Sequence, residues 1–324
     1  MKNLKIFLLS FLSAGVFFTA CDNGDDYTPG EPISDDCPQV YFPEQETLLS
    51  GSLTLAPEEP TTLTYTVMRK NTAGAVGIPY TVTGDNVFSA SEIFFADGAD
   101  TTTLTVDFSS ADTGVPYSFS LTIDPAYVSP YTKLATSVEL DLLRARWITL
   151  NEDTSIEYYG EIYTGYCWYT DDILVSLFGL DPISYPIQVQ VREDTIDANY
   201  PYGPNGLAGL YRMVNPYGAN HPYNEPGDYR PYDVYVMLDA TNSNSVVLGY
   251  QEMGVNWGYG WMEFMDYGTY QGLDNNYHGW IEDGAIYFDV QDIVVFDDDG
   301  AYLGNTSGAF ELIINQDIYD AANK

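Results

Sequence analysis

The chemistry within reach of this sequence is carried by rings rather than by a recognisable catalytic set. Its densest aromatic stretch is Trp257, Tyr259, Trp261, Phe264, Tyr267, Tyr270, Tyr277 and Trp280, interleaved with Gly254, Gly258, Gly260, Gly268, Gly272 and Gly279. Flat π faces on a rigid sheet stack on the C–H faces of sugar rings, while neighbouring Asn, Asp and Gln side chains hydrogen-bond the hydroxyls. On that reading Trp257, Tyr259, Trp261 and Trp280 form a glycan platform. The competing reading is that the set fills a core, because large aromatics dominate buried area in β folds.

The segment from Asn215 to Pro231 is the second candidate, with Pro216, Pro222, Pro226 and Pro231 beside Tyr217, Tyr223, Tyr229, His221 and Arg230. It carries little strand pattern, and long ordered loops are often functional. Proline lowers the entropy cost of holding such a loop ready for a ligand, which adds Tyr217 and Tyr223 to the candidate ligand-binding residues. Equally, the segment reads as a strap that hides an unpaired strand edge.

Catalytic signals are absent from the sequence. With 47 acidic residues, spacing selects no glycosidase pair, since that chemistry needs two carboxyls at a defined separation with one pKa raised. Asp297-Asp298-Asp299-Gly300 lacks the ligand register and distal Glu of an EF-hand loop; it reads as a hairpin turn between a strand ending at Phe296 and the segment with Tyr302 and Leu303. His221 and His278, the only histidines, form neither a zinc pattern nor a Cys/His signature. P-loop, Gly-x-Ser-x-Gly and Rossmann fingerprints do not occur. No cofactor or metal is expected, and an enzyme of glycan or peptide breakdown stays open beside plain binding.

The elements that must position these residues are strands. From Gln39 to Arg146 the period is two: Leu63, Tyr65 and Val67 alternate with Thr; Leu104, Val106 and Phe108 do the same, as do Tyr117, Phe119, Leu121 and Ile123 with Ser and Thr. Turn signals at Thr83-Gly84-Asp85-Asn86, Ala96-Asp97-Gly98 and Asp112-Thr113-Gly114 are spaced for a β-sandwich. Trp147 marks the expected boundary, after the strand carrying Val138, Leu140 and Leu142. The remainder alternates again at Ile187, Val189 and Val191, at Val234, Val236 and Leu238, at Ile286, Phe288 and Val290, and at Phe310, Leu312 and Ile314. Thr170 to Gly179 reads equally as a short helix capped by Thr170 or as a buried strand. The expected fold is all-β: an Ig-like β-sandwich at 39–146, then a larger, mainly antiparallel β domain at 147–324.

Lys2 and Lys5 precede an apolar run from Ile6 to Phe18, too short to span a hydrocarbon core of ~30 Å as a helix, so residues 1–20 read as a signal peptide. Thr19-Ala20-Cys21, followed by Asp22, Asn23, Gly24, Asp25 and Asp26, resembles the lipobox of bacterial lipoproteins. That resemblance implies cleavage before Cys21, lipidation of Cys21, and a tether at 21–38. Multiple acyl chains anchor stably where one is marginal. The acidic patch after Cys21 resembles the surface-export signal of Bacteroidetes lipoproteins, which implies an outer-membrane, cell-surface address. Only Cys37 and Cys167 then remain, and spacing does not decide whether they pair.

The runs Thr64-Tyr65-Thr66-Val67-Met68-Arg69, Ile78-Pro79-Tyr80-Thr81-Val82-Thr83-Gly84, Ile93-Phe94-Phe95-Ala96-Asp97-Gly98 and Tyr117-Ser118-Phe119-Ser120-Leu121 resemble the Calx-beta/Ig-like domain that opens many Bacteroidetes surface lipoproteins. Some Calx-beta domains bind calcium through acidic loops. Here Glu58 and Glu59 lack a dense acidic cluster in the same segment, so that site is not carried over. The resemblance implies a non-catalytic surface lipoprotein beside an outer-membrane glycan uptake system, with an outer-membrane protein as a further partner. A structural or adhesive protein with a protein partner is the other alternative.

Charge narrows the partners. Eleven basic against 47 acidic side chains give a formal charge of −36, which excludes nucleic acid because phosphate binding needs clustered Lys and Arg. Loss of residues 1–20 removes two Lys and no acid, leaving −38. Like charges repel on approach, so a neutral polysaccharide or oligosaccharide is favoured over an anionic one.

Overall fold

The computed structural model describes residues 30, 32–44, 46–196, 207–273 and 277–324. The expected signal peptide, Cys21 and the tether up to residue 29 lie outside these. Among the described residues no helix is long and apolar enough to cross a membrane.

The Thr-apolar alternation forms β1 (Val40–Tyr41), β2 (Ser50–Leu55), β3 (Thr62–Arg69), β4 (Val76–Ile78), β5 (Tyr80–Gly84), β6 (Ser89–Ala90), β7 (Ile93–Phe95), β8 (Thr101–Asp107), β9 (Pro116–Ile123) and β10 (Ser137–Arg144), with one turn of helix, α1 (Glu46–Leu49), before β2. Two four-stranded sheets result, ordered β1-β3-β8-β6 and β2-β10-β9-β5, beside the pair β4-β7. Only every second side chain faces inward, so Tyr65, Val67, Leu104 and Val106 of one sheet meet Phe119, Leu121, Val138 and Leu140 of the other in one core. The β2–β10 pair is parallel.

Arg69, the last residue of β3, is 2% exposed and, among the described residues, forms no ion pair with a carboxylate. Its guanidinium donates to the carbonyls of Ala99 (2.7 Å), Gly74 (3.0 Å), Thr72 (2.9 Å) and Ala96 (2.8 Å) and lies over the Phe95 ring. A planar fork of five donors can satisfy several carbonyls at once. This one ties the 72–74 and 96–99 turns together.

Beyond β10 the chain forms β11 (Trp147–Thr149), β12 (Ser155–Tyr158), β13 (Glu161–Thr164), β14 (Cys167–Asp171), α2 (Leu174–Leu177), β15 (Ile183–Arg192), β16 (Gly209–Val214), β17 (Tyr235–Ala240), β18 (Gln251–Glu252), β19 (Glu263–Asp266), α3 (Tyr267–Gln271), β20 (Trp280–Glu282), β21 (Ala285–Phe288), β22 (Ile293–Phe296), β23 (Tyr302–Asn305), β24 (Phe310–Ile313) and α4 (Gln316–Ala322). The large sheet runs β17-β16-β15-β14-β24-β21-β20, with β11 on β15; a small one runs β18-β19-β22-β23; β12 and β13 form a separate hairpin. Val189, Tyr211, Val236 and Leu312 of the large sheet share a core with Phe264, Ile293 and Val295 of the small one. The protein is mainly β, with its pairs mostly antiparallel.

Two local expectations change, the Thr170 cap and the placement of Val290. The Thr170–Gly179 segment is both of the forms considered, a strand to Asp171 and then a helical turn. The capping group is Asp171, not Thr170, whose hydroxyl pairs with Ser184 instead (2.8 Å). Val290 lies past the end of β21 and is exposed, so it extends no inward row. Cys37 and Cys167 are both buried and unpaired. The Asp297–Gly300 segment is the hairpin turn anticipated, its Asp297 carboxylate accepting from the Asp299 and Ala301 amides (3.1 and 2.7 Å).

The two sheet systems meet at β10 and β11. Glu58 accepts from Trp147 Nε1 (2.8 Å) and Arg212 Nη1 (3.2 Å), and the Arg212 guanidinium sits 4.2 Å from the ring centres of both Trp147 and Tyr235. Glu58 therefore belongs to a junction between the sheet systems.

Candidate functional site

The site is built on a buried carboxylate. Asp171 is fully enclosed at the end of β14, where its Oδ1 accepts from the Ile173 and Leu174 amides (3.1 Å each) and so caps α2. Its Oδ2 lies 3.1 Å from Nε2 of His221, which is 1% exposed. The Tyr223 amide donates to His221 Nδ1 (3.3 Å), which assigns the ring proton to Nε2, donating to Asp171.

Around this pair stand Tyr185, Tyr217 and Trp257, with ring centres 5.2, 5.6 and 5.5 Å from the imidazole. Tyr217 and Tyr169 bond through their hydroxyls (2.8 Å), and Tyr185 donates to the Pro216 carbonyl (2.6 Å). Burial, with the Asp171 charge adding to it, pushes all three phenols well above their ordinary value, so they remain hydrogen-bond donors. The Asn215–Pro231 segment is thus strapped down. Asn224 extends the strap, donating to the Tyr217 and Gly218 carbonyls (2.7 and 3.1 Å) and accepting from Trp257 Nε1 (2.8 Å).

Three of the six candidate ligand-binding residues gather on this base. Trp257 is half-buried and meets Phe178 edge-on at 5.3 Å, and Phe178 in turn lies 5.4 Å from Tyr259. Tyr259 is 48% exposed and Tyr223 37%, the latter donating to the Asp181 carbonyl (3.2 Å). Phe178 was invisible as a partner because it follows α2, almost eighty positions from Trp257, and no local pattern links the two.

The other three do not join this open surface. Tyr217 is 1% exposed, held in the core by its Tyr169 bond, and offers no face to a ligand. Trp261 is covered by the Arg230 guanidinium, 3.8 Å from its ring centre and fixed by two bonds to Glu252 (2.6 and 2.9 Å). Trp280 stacks on Tyr287 (5.7 Å, 26°) on the edge strand of the large sheet, with Nε1 donating to Glu282 (3.2 Å). Phe264, in the same aromatic stretch, is wholly core.

His278 also lies against a buried aspartate, without the hydrogen bond that joins His221 to Asp171. Its Nδ1 lies 2.8 Å from Oδ1 of the fully buried Asp266, though off the line of a hydrogen bond, and its Nε2 faces the Leu273 carbonyl (2.9 Å). Asp266 caps α3 through the Thr269 amide (2.7 Å). Among the described residues no group of three or more His, Cys, Asp or Glu side chains is set to hold a metal ion.

The geometry defines a mainly β protein with a half-exposed aromatic surface braced from within. No protein-family model and no curated protein matches the chain. It is distantly similar to the apo form of the Calx CBD1 domain, at 17% identity over 33% of this chain and 96% of that one, with a TM-score of 0.23. It is also similar to the calcium binding domain CBD12 of CALX1.1 (13% identity, 46% of this chain and 69% of that one, TM-score 0.27) and to CBD12 from CALX1.2 (11%, 54% and 79%, TM-score 0.24). These likenesses cover part of the chain and assign no family; the architecture rests on the strand pairings above.

Proposed function

We propose that the protein is a non-catalytic, lipid-anchored surface protein that binds a neutral glycan, as an accessory to an outer-membrane uptake system. The observation that carries this reading is the convergence of Phe178, Tyr223, Trp257 and Tyr259 from three chain segments, with two of the rings open to solvent. Rings braced by hydrogen bonds and by neighbouring rings lose little freedom on binding, and stacking needs no charge. The formal charge of −36 disfavours anionic chains. The anchor reading rests on the residues around Cys21.

Electrophoresis of the purified mature protein through gels containing a β-glucan, a xylan or a galactomannan tests the binding. Retardation by at least one polymer is expected, lost in Trp257→Ala and Tyr259→Ala and kept in Trp261→Ala and Trp280→Ala. Unchanged retardation in the first pair refutes the assignment. For the anchor, palmitate labelling should vanish in Cys21→Ser, and persisting label refutes it.

A protein partner is the second reading, favoured by the β12–β13 hairpin. Tyr159 and Gly160 at its tip both have positive φ (50° and 82°), as a two-residue turn requires, and leave Tyr159 88% and Ile162 71% exposed.

A further inference from the structure

A second ring surface lies on the outer face of the small sheet. Phe264 and Asp266 of β19, with Ile293 and Val295 of β22, point inward, so the paired residues Glu263 and Phe296 face out. Three tyrosines from separate elements surround Phe296: Tyr250 before β18 at 5.4 Å, Tyr270 of α3 at 5.7 Å and Tyr302 of β23 at 6.4 Å between ring centres. Phe296 is nearly buried beneath them, while the tyrosines are 49%, 44% and 53% exposed. Tyr270 and Tyr302 are nearly parallel, with planes 17° apart.

Polar groups rim these rings. Tyr250 donates to Glu263, and Tyr302 donates to Asn305. The bond to Glu263, then burial and the Glu263 and Asp297 charges, pushes the Tyr250 phenol up to about 12, so it stays a donor. Glu263 keeps acceptor capacity for further O–H donors. Ring faces beside carboxylate and amide acceptors match a polyhydroxylated, uncharged chain, and the same carboxylates repel an anionic one.

The Asp297–Gly300 turn touches both ring surfaces. A Cβ placed on Gly260, in the loop carrying Tyr259, would fall 2.0 Å from the Asp298 carboxyl carbon, so turn and loop are in direct contact. A Cβ on Gly300 would fall 3.7 Å from the Tyr250 hydroxyl. We propose that Tyr250, Tyr270 and Tyr302 form a second stacking subsite, so that the protein selects neutral oligosaccharides long enough to cross the Asp297–Gly300 turn. The class of ligand rests on the glycan reading above; the residues are a separate set. Two linked subsites raise the affinity of a chain that spans both and leave a short chain unaffected.

The test is calorimetry with a disaccharide and an octasaccharide cut from each of the three polymers, beside gel retardation by the polymers. The double variant Tyr270→Ala/Tyr302→Ala should bind octasaccharide and polymer about tenfold or more weakly, the loss of two ring contacts, with disaccharide binding unchanged. Tyr270→Phe/Tyr302→Phe should keep wild-type binding, since it retains the rings. Wild-type affinity of the double alanine variant for the octasaccharide overturns the subsite and leaves the Trp257–Tyr259 assignment untouched. Loss of binding in that variant alone, with Trp257→Ala and Tyr259→Ala intact, overturns the earlier assignment and supports this one. No binding of any polymer or oligosaccharide by the wild type overturns both.

Discussion

Replacing His221 by alanine removes the side-chain donor from a carboxylate that has no access to water. Asp171 would keep the Ile173 and Leu174 amides on Oδ1 and lose its partner on Oδ2. Removing one hydrogen-bond donor from a buried carboxylate costs about 1.5–3 kcal/mol, because part of its desolvation is then uncompensated. For a cooperative unit of about 150–250 residues each kcal/mol moves Tm by ~2–4 °C, so His221→Ala should lower Tm by roughly 3–12 °C. All five tryptophans lie at or beyond residue 147, so the fluorescence melt reports this part of the chain selectively. Trp257 also touches the imidazole, so its emission should shift in the folded variant. His221→Gln places an amide near the position of Nε2 and should recover part of the loss. A cycle with Asp171→Asn should show the two sites strongly coupled. An alanine variant that melts within about 2 °C of wild type refutes the assignment of Asp171–His221 as the brace of the strap.

Arg69→Met should cost the first sandwich about 1–3 kcal/mol by leaving four partly buried carbonyls short of a donor, and Arg69→Lys should not rescue it, since an ammonium has no fork. Circular dichroism in urea reads this, and an unchanged midpoint refutes it. Burial pushes the Cys167 thiol up to about 12, against an opposing hydrogen bond from Asn151, so maleimide should label it only after denaturation; rapid native labelling refutes the enclosure. Asp292 has its carboxyl raised, first by burial and next by the Asp289 and Asp266 charges, against the Asp289 amide and His278. A carboxyl raised in the folded state binds its proton more tightly there, so stability at this site falls as pH rises through the carboxylate range. Asp292→Asn should therefore stabilise the protein at pH 7, with the gain shrinking toward pH 4, as urea midpoints at both pH values would show. A gain that grows on acidification contradicts the sign.

What the sequence revealed and what it hid divide by the range of the interaction. Alternation along Leu63, Tyr65 and Val67, or the Asp297–Gly300 turn, is decided within a few residues, and there pattern and structure agree. Tyr217 and Tyr223 belong to one loop and one residue type, yet one is core and the other exposed, because Tyr169, fixed on β14, captures the first hydroxyl. Trp261 loses an open face to Arg230, a pairing across 31 positions that no local spacing encodes.

The two histidines show the same division inside single residues. Capping is local: Asp171 and Asp266 each stand just before a short helix and accept its first amides, a role that the residues following them announce. Their histidine partners lie 50 and 12 positions away and announce nothing. Asp171 is used again as the anchor of a distant segment through His221, and Asp266 has its second oxygen satisfied by the Leu248 amide and the Thr269 hydroxyl (2.8 Å each), so the desolvation of each carboxylate is compensated on both oxygens. Among the described residues these are the two acidic side chains that are wholly enclosed, and both stand beneath surfaces whose rings remain open. Asp171 holds the strap under Tyr223 and Trp257, and Asp266 holds α3, which presents Tyr270.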